Sequence, residues 1–119
     1  MNEPDIVFTT TDRDGCAITL HSTQFKNHIQ KQHPELCNPN AIKYTIVNAE
    51  CITEDKDYKT TTNYYNSSHK YKKLKKRGKY IKVAVDFSSG ELSGRVKTAF
   101  PTTEVHPKDK IVWKKSEAK

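Results

Sequence analysis

The chain is poor in the residues that mark several classes of protein. It has three irregularly spaced cysteines, Cys16, Cys37 and Cys51, and no Cys-x-x-Cys pair. This pattern is not a disulfide framework and indicates a reducing compartment. Its four glycines form neither a phosphate-binding loop nor a dinucleotide fingerprint. No apolar run is long enough to cross a bilayer, and the first ten residues, MNEPDIVFTT, do not resemble a signal peptide. We therefore expect a cytoplasmic protein with no membrane contact.

Positive charge is what the chain has in excess. Lysine and arginine total 21 against 14 acidic residues, which gives a formal net charge of +7. Such a charge raises the rate of encounter with phosphate polymers and indicates a polyanionic partner, above all RNA. A length of 119 residues suits one domain that needs no disulfide or metal to fold. We expect a single domain over residues 1–119, with a core from about residue 6 to residue 114 and a frayed tail over 115–119.

Helix signals are confined to the N-terminal half. A helix that begins near residue 22 should end near Gln32, because Pro34 disfavours helical geometry at the residue before it. Asn38 and Pro39 then have the residue types of an N-cap and a first helical position. They predict a second short helix that fades by residue 48.

Most of the remaining signals predict strands. Asp14-Gly15 lies between two β-favouring segments and predicts an N-terminal hairpin. Residues 80–87 form the clearest strand, because apolar residues occupy every second position. Further strands are expected at 60–71, 94–100 and 111–114. The order predicts an α+β fold, in which an N-terminal hairpin and two helices pack on a four-stranded antiparallel sheet. One face of that sheet would stay open.

The most basic segment is KYKKLKKRGK at residues 70–79, in which seven of ten residues are basic. Such a run repels itself unless an anion lies against it, so it predicts a loop that follows a phosphate backbone. A solvated hairpin tip is the alternative. The predicted RNA-binding residues are Lys72, Lys73, Lys75, Lys76, Arg77, Lys79, Tyr80 and Lys82.

Two histidines supply candidate proton-transfer groups. His28 and His33 would lie about 140° apart on a regular helix, but a turn at Pro34 lets His33 swing back toward His28. Arg95 and Lys97 share one predicted strand face. Cations beside a histidine suit RNA cleavage, because a base must activate the 2′-hydroxyl and a cation must stabilise the phosphorane. The alternatives are structural histidines and solvated cations.

Two further residues are candidates. Under strict alternation Thr98 lies on the apolar face, and it reaches the open face only if the strand bulges there. His69 is next to the basic segment and is a second-tier catalytic candidate. A zinc site built from the two helix histidines with Cys37 and Cys51 lacks the paired close spacings of structural zinc sites. We therefore expect no metal ion and no cofactor.

Several short motifs, taken in order, resemble a nuclease family. They are Asp12-x-Asp14-Gly15, a helix with His28-Ile29 followed by His33-Pro34-Glu35, the strand at 83–85, and Val96-x-Thr98-Ala99-Phe100. Over about residues 12–113 the chain is similar to the phage- and mobile-element-associated branch of the Barnase–EndoU–colicin–RelE (BECR) fold nucleases.

That resemblance implies metal-independent RNA cleavage on the open face of a four-stranded antiparallel sheet. By position it implies that His28 and His33 are the acid and base and that Thr98 lies at the substrate. Phe100 stands where relatives often carry tyrosine, so no phenolic hydroxyl is available there. It also implies a toxin of a toxin–antitoxin or phage-conflict system that acts on tRNA or mRNA and has an acidic inhibitor or antitoxin as partner.

Two other functions fit the residues. The first is a non-catalytic RNA-binding module that stacks bases on Tyr64, Tyr65 and Tyr71. The second is an adaptor that contacts an acidic protein. Both share the basic segment with the nuclease hypothesis and differ from it at the histidines.

Overall fold

A computed structural model describes residues 5–36, 38–68, 71, 74, 76–88, 90 and 92–115. The strands are β1 (Ile6–Thr11), β2 (Ala17–His21), β3 (Cys51–Glu54), β4 (Thr61–Asn66), β5 (Tyr80–Asp86), β6 (Ser93–Thr102) and β7 (Lys110–Lys114). The first helix spans residues 22–32 and contains a π-helical turn at Phe25–Ile29, and the second helix is Pro39–Val47. No helix in these ranges is both long and apolar enough to span a membrane. Residues 116–119 of the predicted tail lie outside the described residues.

All seven strands form one mixed sheet in the order β1-β2-β6-β5-β4-β3-β7. Neighbours are antiparallel except β2 and β6, which pair in parallel from Ala17–Thr19 to Ser93–Arg95. The predicted fold, with a four-stranded antiparallel sheet, is therefore wrong. The hairpin does not pack on the sheet from outside, because its second strand hydrogen-bonds to β6 and extends the sheet. Toward the other edge of the sheet, β3 separates β4 from β7. It is a four-residue strand with three buried residues and no alternation.

The core lies between the helices and one face of the sheet. Ile81, Val83 and Val85 of β5 are fully buried there in one cluster with Ile42 and Ile46 of the second helix. The predicted burial of these three residues of β5 is confirmed, but Ala84 on the opposite face is buried as well. Burial of each such side chain contributes about 1.5–3 kcal/mol, so this face supplies much of the folding free energy. The opposite face is called the open face below.

Helix ends follow the local signals. The first helix ends at Gln32, and His33, with φ −133° and ψ 70°, has left the helical conformation before Pro34. The Asn38 side chain accepts a hydrogen bond from the Asn40 N–H at 2.9 Å, and Pro39 is the first residue of the second helix. Both predicted boundaries are confirmed.

The sheet curls around the helix side. The Arg13 guanidinium carbon in the β1–β2 turn lies 4.1 Å from the ring centroid of Trp113 in β7, at the opposite edge of the sheet. The Tyr64 hydroxyl donates a 2.7 Å hydrogen bond to Asp12 of the same turn. These contacts join the β1–β2 turn to β4 and β7 across the sheet.

Candidate functional site

A β-bulge decides which side chains β6 presents to the open face. The cross-strand partners of Val96 and Thr98 are consecutive residues of β5, so Lys97 is an extra residue in β6. A bulge of this kind shifts the alternation of side chains by one position. Thr98 and Phe100 therefore belong to the open face, whereas strict alternation placed both with Val96 on the apolar face.

Lys82 occupies the middle of the open face, between two aromatic rings. It lies directly opposite Phe100 of β6 and Tyr65 of β4. Its Nζ atom is 5.5 Å from the Phe100 ring centroid and 5.8 Å from that of Tyr65. Attraction between the ammonium and the two ring faces holds the charge above the sheet. A cleft of about 460 Å³, called the Lys82 cleft below, is lined by these three residues with Thr102, Thr103, Glu104, His106 and Pro107.

The end of the first helix brings His33 against Phe100, one of the residues that line the Lys82 cleft. The imidazole centroid lies 5.3 Å from the Phe100 ring centroid. On its other side, Glu35 Oε2 is 3.9 Å from His33 Nδ1. At this distance the carboxylate is a neighbour of the ring and does not accept a hydrogen bond from it.

His106, in the loop between β6 and β7, is a second imidazole at the cleft. Its Nδ1 accepts a hydrogen bond from the Lys108 backbone N–H at 3.2 Å, and its own backbone N–H reaches the Tyr65 hydroxyl at 3.5 Å. The sequence predicts no role for this residue, because it stands between prolines in a loop without a periodic pattern. The loop lies over the open face because of the order of the strands in the sheet. The residues near His106 in the sequence do not indicate that order.

Arg95 and Lys97 form a second cationic area on the same face. Lys97 Nζ donates a 3.0 Å hydrogen bond to Thr61 Oγ1 and lies 4.3 Å from the ring centroid of Tyr58. Both cations line a hollow of about 270 Å³ that also includes Gln24 of the first helix. The two cations share one face, as the sequence predicted.

A carboxylate lies beside this cationic area. Asp86 is directly opposite Arg95 in the register. Its carboxylate accepts hydrogen bonds from the hydroxyls of Ser88 at 2.6 Å and Thr60 at 2.7 Å. These bonds hold the pKa of Asp86 below its usual value, and the nearby Lys97 charge adds to the effect. The ionised Asp86 therefore offsets part of the positive charge at this end of the face.

A buried polar network fixes the loops that wall the open face. Asn63 is fully buried, and its Nδ2 donates to Asp55 at 3.2 Å and to Asp109 at 3.1 Å. The Lys56 backbone N–H donates to Asp109 at 2.9 Å. Burial alone would raise the pKa of Asp55, but hydrogen bonds from Asn63 and two backbone N–H groups, with the charge of Lys82, lower it overall. The ionised network joins the β3–β4 loop to the loop before β7.

The basic segment is described in part. His69, Lys70, Lys72, Lys73 and Lys75 lie outside the described residues. Leu74 is buried, and its carbonyl accepts hydrogen bonds from the N–H groups of Arg77 and Gly78. A Cβ atom on Gly78 would lie 2.5 Å from the Thr102 backbone, so the turn packs tightly against the end of β6. The exposed Lys76 and Arg77 directly precede this closely packed glycine.

Tyrosines at this end of the sheet differ in their access to a ligand. Tyr80 is half-buried, and Lys79 Nζ lies 5.3 Å from its ring centroid. Tyr64 and Tyr65 are 1% and 0% exposed. The last two rings therefore do not offer a face to unpaired bases, as the RNA-binding alternative required.

The other predicted site residues lie away from the Lys82 cleft or outside the residues that the structure describes. His28 is half-buried in the π-helical turn. Of the two helix histidines, only His33 makes the described contact with Phe100. Cys37 of the zinc alternative is not described. Among the residues that are described, no three His, Cys, Asp or Glu side chains are grouped as metal ligands.

Comparisons with protein-family models, with curated proteins and with solved structures found no match to this chain.

Proposed function

We propose that the protein is a metal-independent endoribonuclease that cleaves RNA in the Lys82 cleft. The observation that carries the proposal is the contact of the His33 imidazole with the Phe100 ring, directly opposite Lys82. An imidazole and a cation therefore both lie against the same aromatic ring. The motif resemblance to BECR nucleases points to the same chemistry.

The proposed reaction begins at His33. Its Nε2 takes the proton of a ribose 2′-hydroxyl, and the 2′-oxygen attacks the adjacent phosphorus. Lys82 stabilises the negative charge that develops on the non-bridging oxygens. The bond from phosphorus to the 5′-oxygen breaks, and that oxygen takes a proton from water. The products are a 2′,3′-cyclic phosphate and a 5′-hydroxyl.

The cations on the open face would hold the RNA strand on either side of this point. Arg95 and Phe100 pair with positions of β5 that are four residues apart, which is about 13 Å along the strand. Arg95 and Lys97 would bind phosphates at one end. Lys79 and the anchored turn with Arg77 would bind them at the other.

Cleavage of a labelled single-stranded RNA in excess EDTA tests the proposal. We expect product with a 2′,3′-cyclic end from the wild type and loss of cleavage in His33→Ala. Lys43→Ala, at an exposed position of the second helix, is the matched control and should cleave normally. Uncut RNA across many sequences, with salt-sensitive binding, would instead show a non-catalytic RNA-binding module. Loss of cleavage in His28→Ala but not in His33→Ala would show that the base is misassigned.

For the biological role, we propose a cytoplasmic toxin of a toxin–antitoxin or phage-conflict system that acts on tRNA or mRNA. This role rests on the motif resemblance and on the net charge, which suits an acidic inhibitor that covers the open face. Induced expression should arrest growth for the wild type and not for His33→Ala. Equal arrest by both proteins would count against a toxic nuclease.

A further inference from the structure

We propose that His106 acts in the same reaction as a neutral hydrogen-bond donor, whose Nε2–H binds a non-bridging phosphate oxygen in the transition state. This inference rests on the proposed nuclease function. It assigns a catalytic role to a residue outside the sequence motifs.

The hydrogen bonds of the loop define the form of the His106 ring. Nδ1 accepts the Lys108 N–H at 3.2 Å, so it is the unprotonated nitrogen. The neutral ring then carries its proton on Nε2. Protonation of Nδ1 would place two N–H donors against each other and break this bond. The bond thus fixes which nitrogen of the His106 ring is the donor.

The two histidines approach Lys82 from opposite sides. The first helix follows the outer edge of β6, since the Gln24 side-chain amide donates to the Lys97 carbonyl, and it ends with His33 on Phe100. The His106 backbone instead contacts Tyr65 of β4. In the sheet, β5 with Lys82 lies between β6 and β4. The two histidines thus flank Lys82 in the strand order, with His33 beside β6 and His106 beside β4.

The surroundings of His106 support a fixed neutral donor. Burial raises the pKa of Tyr65 to about 12, so the phenol below the loop stays neutral. The charged groups that line the cleft with His106 are Lys82 of β5 and Glu104 of the loop itself. The Lys108 N–H occupies Nδ1, so Nε2–H is the remaining donor of the ring.

Variants that keep or remove the donor test the role. Glutamine can place an amide N–H near the position of Nε2, whereas asparagine can keep an acceptor for Lys108 without that donor. We expect His106→Gln to retain kcat within about tenfold, and His106→Asn to lose about 100-fold or more. Thermal unfolding of both variants shows whether the loop is intact. Equal losses in the two variants, with unchanged unfolding, would overturn the proposal.

A modified substrate separates donation of a hydrogen bond from donation of a proton. RNA with sulfur in place of the 5′-oxygen needs no acid at the leaving group. We expect His106→Asn to remain as impaired on this substrate as on ordinary RNA. For the wild type, we expect no loss of kcat/KM between pH 7 and 9 that depends on His106. Selective rescue by the sulfur substrate would make His106 the general acid instead. If wild-type protein cuts neither substrate, the proposed nuclease function itself fails.

Discussion

Replacement of Lys82 by methionine separates the catalytic role of this charge from its structural role. Methionine has a similar length and removes only the ammonium. The structural loss is the attraction to the rings of Phe100 and Tyr65, at 5.5 and 5.8 Å. At about 0.5 kcal/mol for each partly exposed contact, the free energy of unfolding should fall by about 1 kcal/mol. A domain stable by about 5 kcal/mol or more stays over 99% folded after such a loss.

The expected catalytic loss is much larger. Because the ammonium faces the charge that develops on the phosphorane, its removal should lower kcat by about 100-fold, which corresponds to about 2.7 kcal/mol. RNA affinity should fall modestly, and the slope of log K against log salt should decrease by about 0.7, as for one lost phosphate contact on a single strand. Single-turnover cleavage and salt-dependent binding measure these quantities, with Lys43→Met as the matched control. An unchanged kcat with weaker binding would refute the catalytic assignment of Lys82.

Three further predictions concern the stability of the fold that supports the site. Gly78→Ala should lower the free energy of unfolding by about 1–3 kcal/mol and weaken RNA binding, because the new Cβ meets the Thr102 backbone at 2.5 Å. Chemical denaturation measures the first effect, and binding titrations measure the second. Ile81→Ala should cost about 2–5 kcal/mol in a denaturant titration, because the side chain is fully buried, and a cost under 1 kcal/mol would contradict the described core. Burial would raise the pKa of Glu50, but hydrogen bonds from the Ser67 hydroxyl and N–H lower it below its usual 4.5. The stability advantage of wild type over Glu50→Gln should therefore be constant above about pH 4.5 and shrink as the pH falls further; an advantage that grows in acid would contradict this sign.

Local signals were sufficient where neighbouring residues decide the structure. Pro34 ends the first helix through a steric clash with the preceding residue, and Asn38 caps the second through its own side chain. The strand at Tyr80–Asp86 follows from its alternation, because Ile81, Val83 and Val85 are fully buried on one face. These effects act over a few residues, so a single sequence contains them.

Long-range pairing is what the sequence did not reveal. The parallel contact of β2 with β6 joins residues more than seventy positions apart and involves three residues of each strand. The segment Cys51–Glu54 has three consecutive buried residues, and such a run has no strand period. The bulge at Lys97 is likewise invisible in the alternation, and it alone decides the side on which Thr98 lies. His106 depends on all of these, because its loop crosses the open face only in this strand order.

The parallel pair also explains how His33 comes to lie beside Phe100. The first helix continues the direction of β2, which is the direction of β6, and it contacts β6 first at Lys97 through Gln24. From Gln24 to His33 a helix advances about 13 Å, and from Lys97 to Phe100 a strand advances about 10 Å. The two lengths nearly agree, so a helix that ends before Pro34 ends beside Phe100. The length of the first helix, set by one proline, therefore places the imidazole, and the bulge at Lys97 turns the phenylalanine toward it.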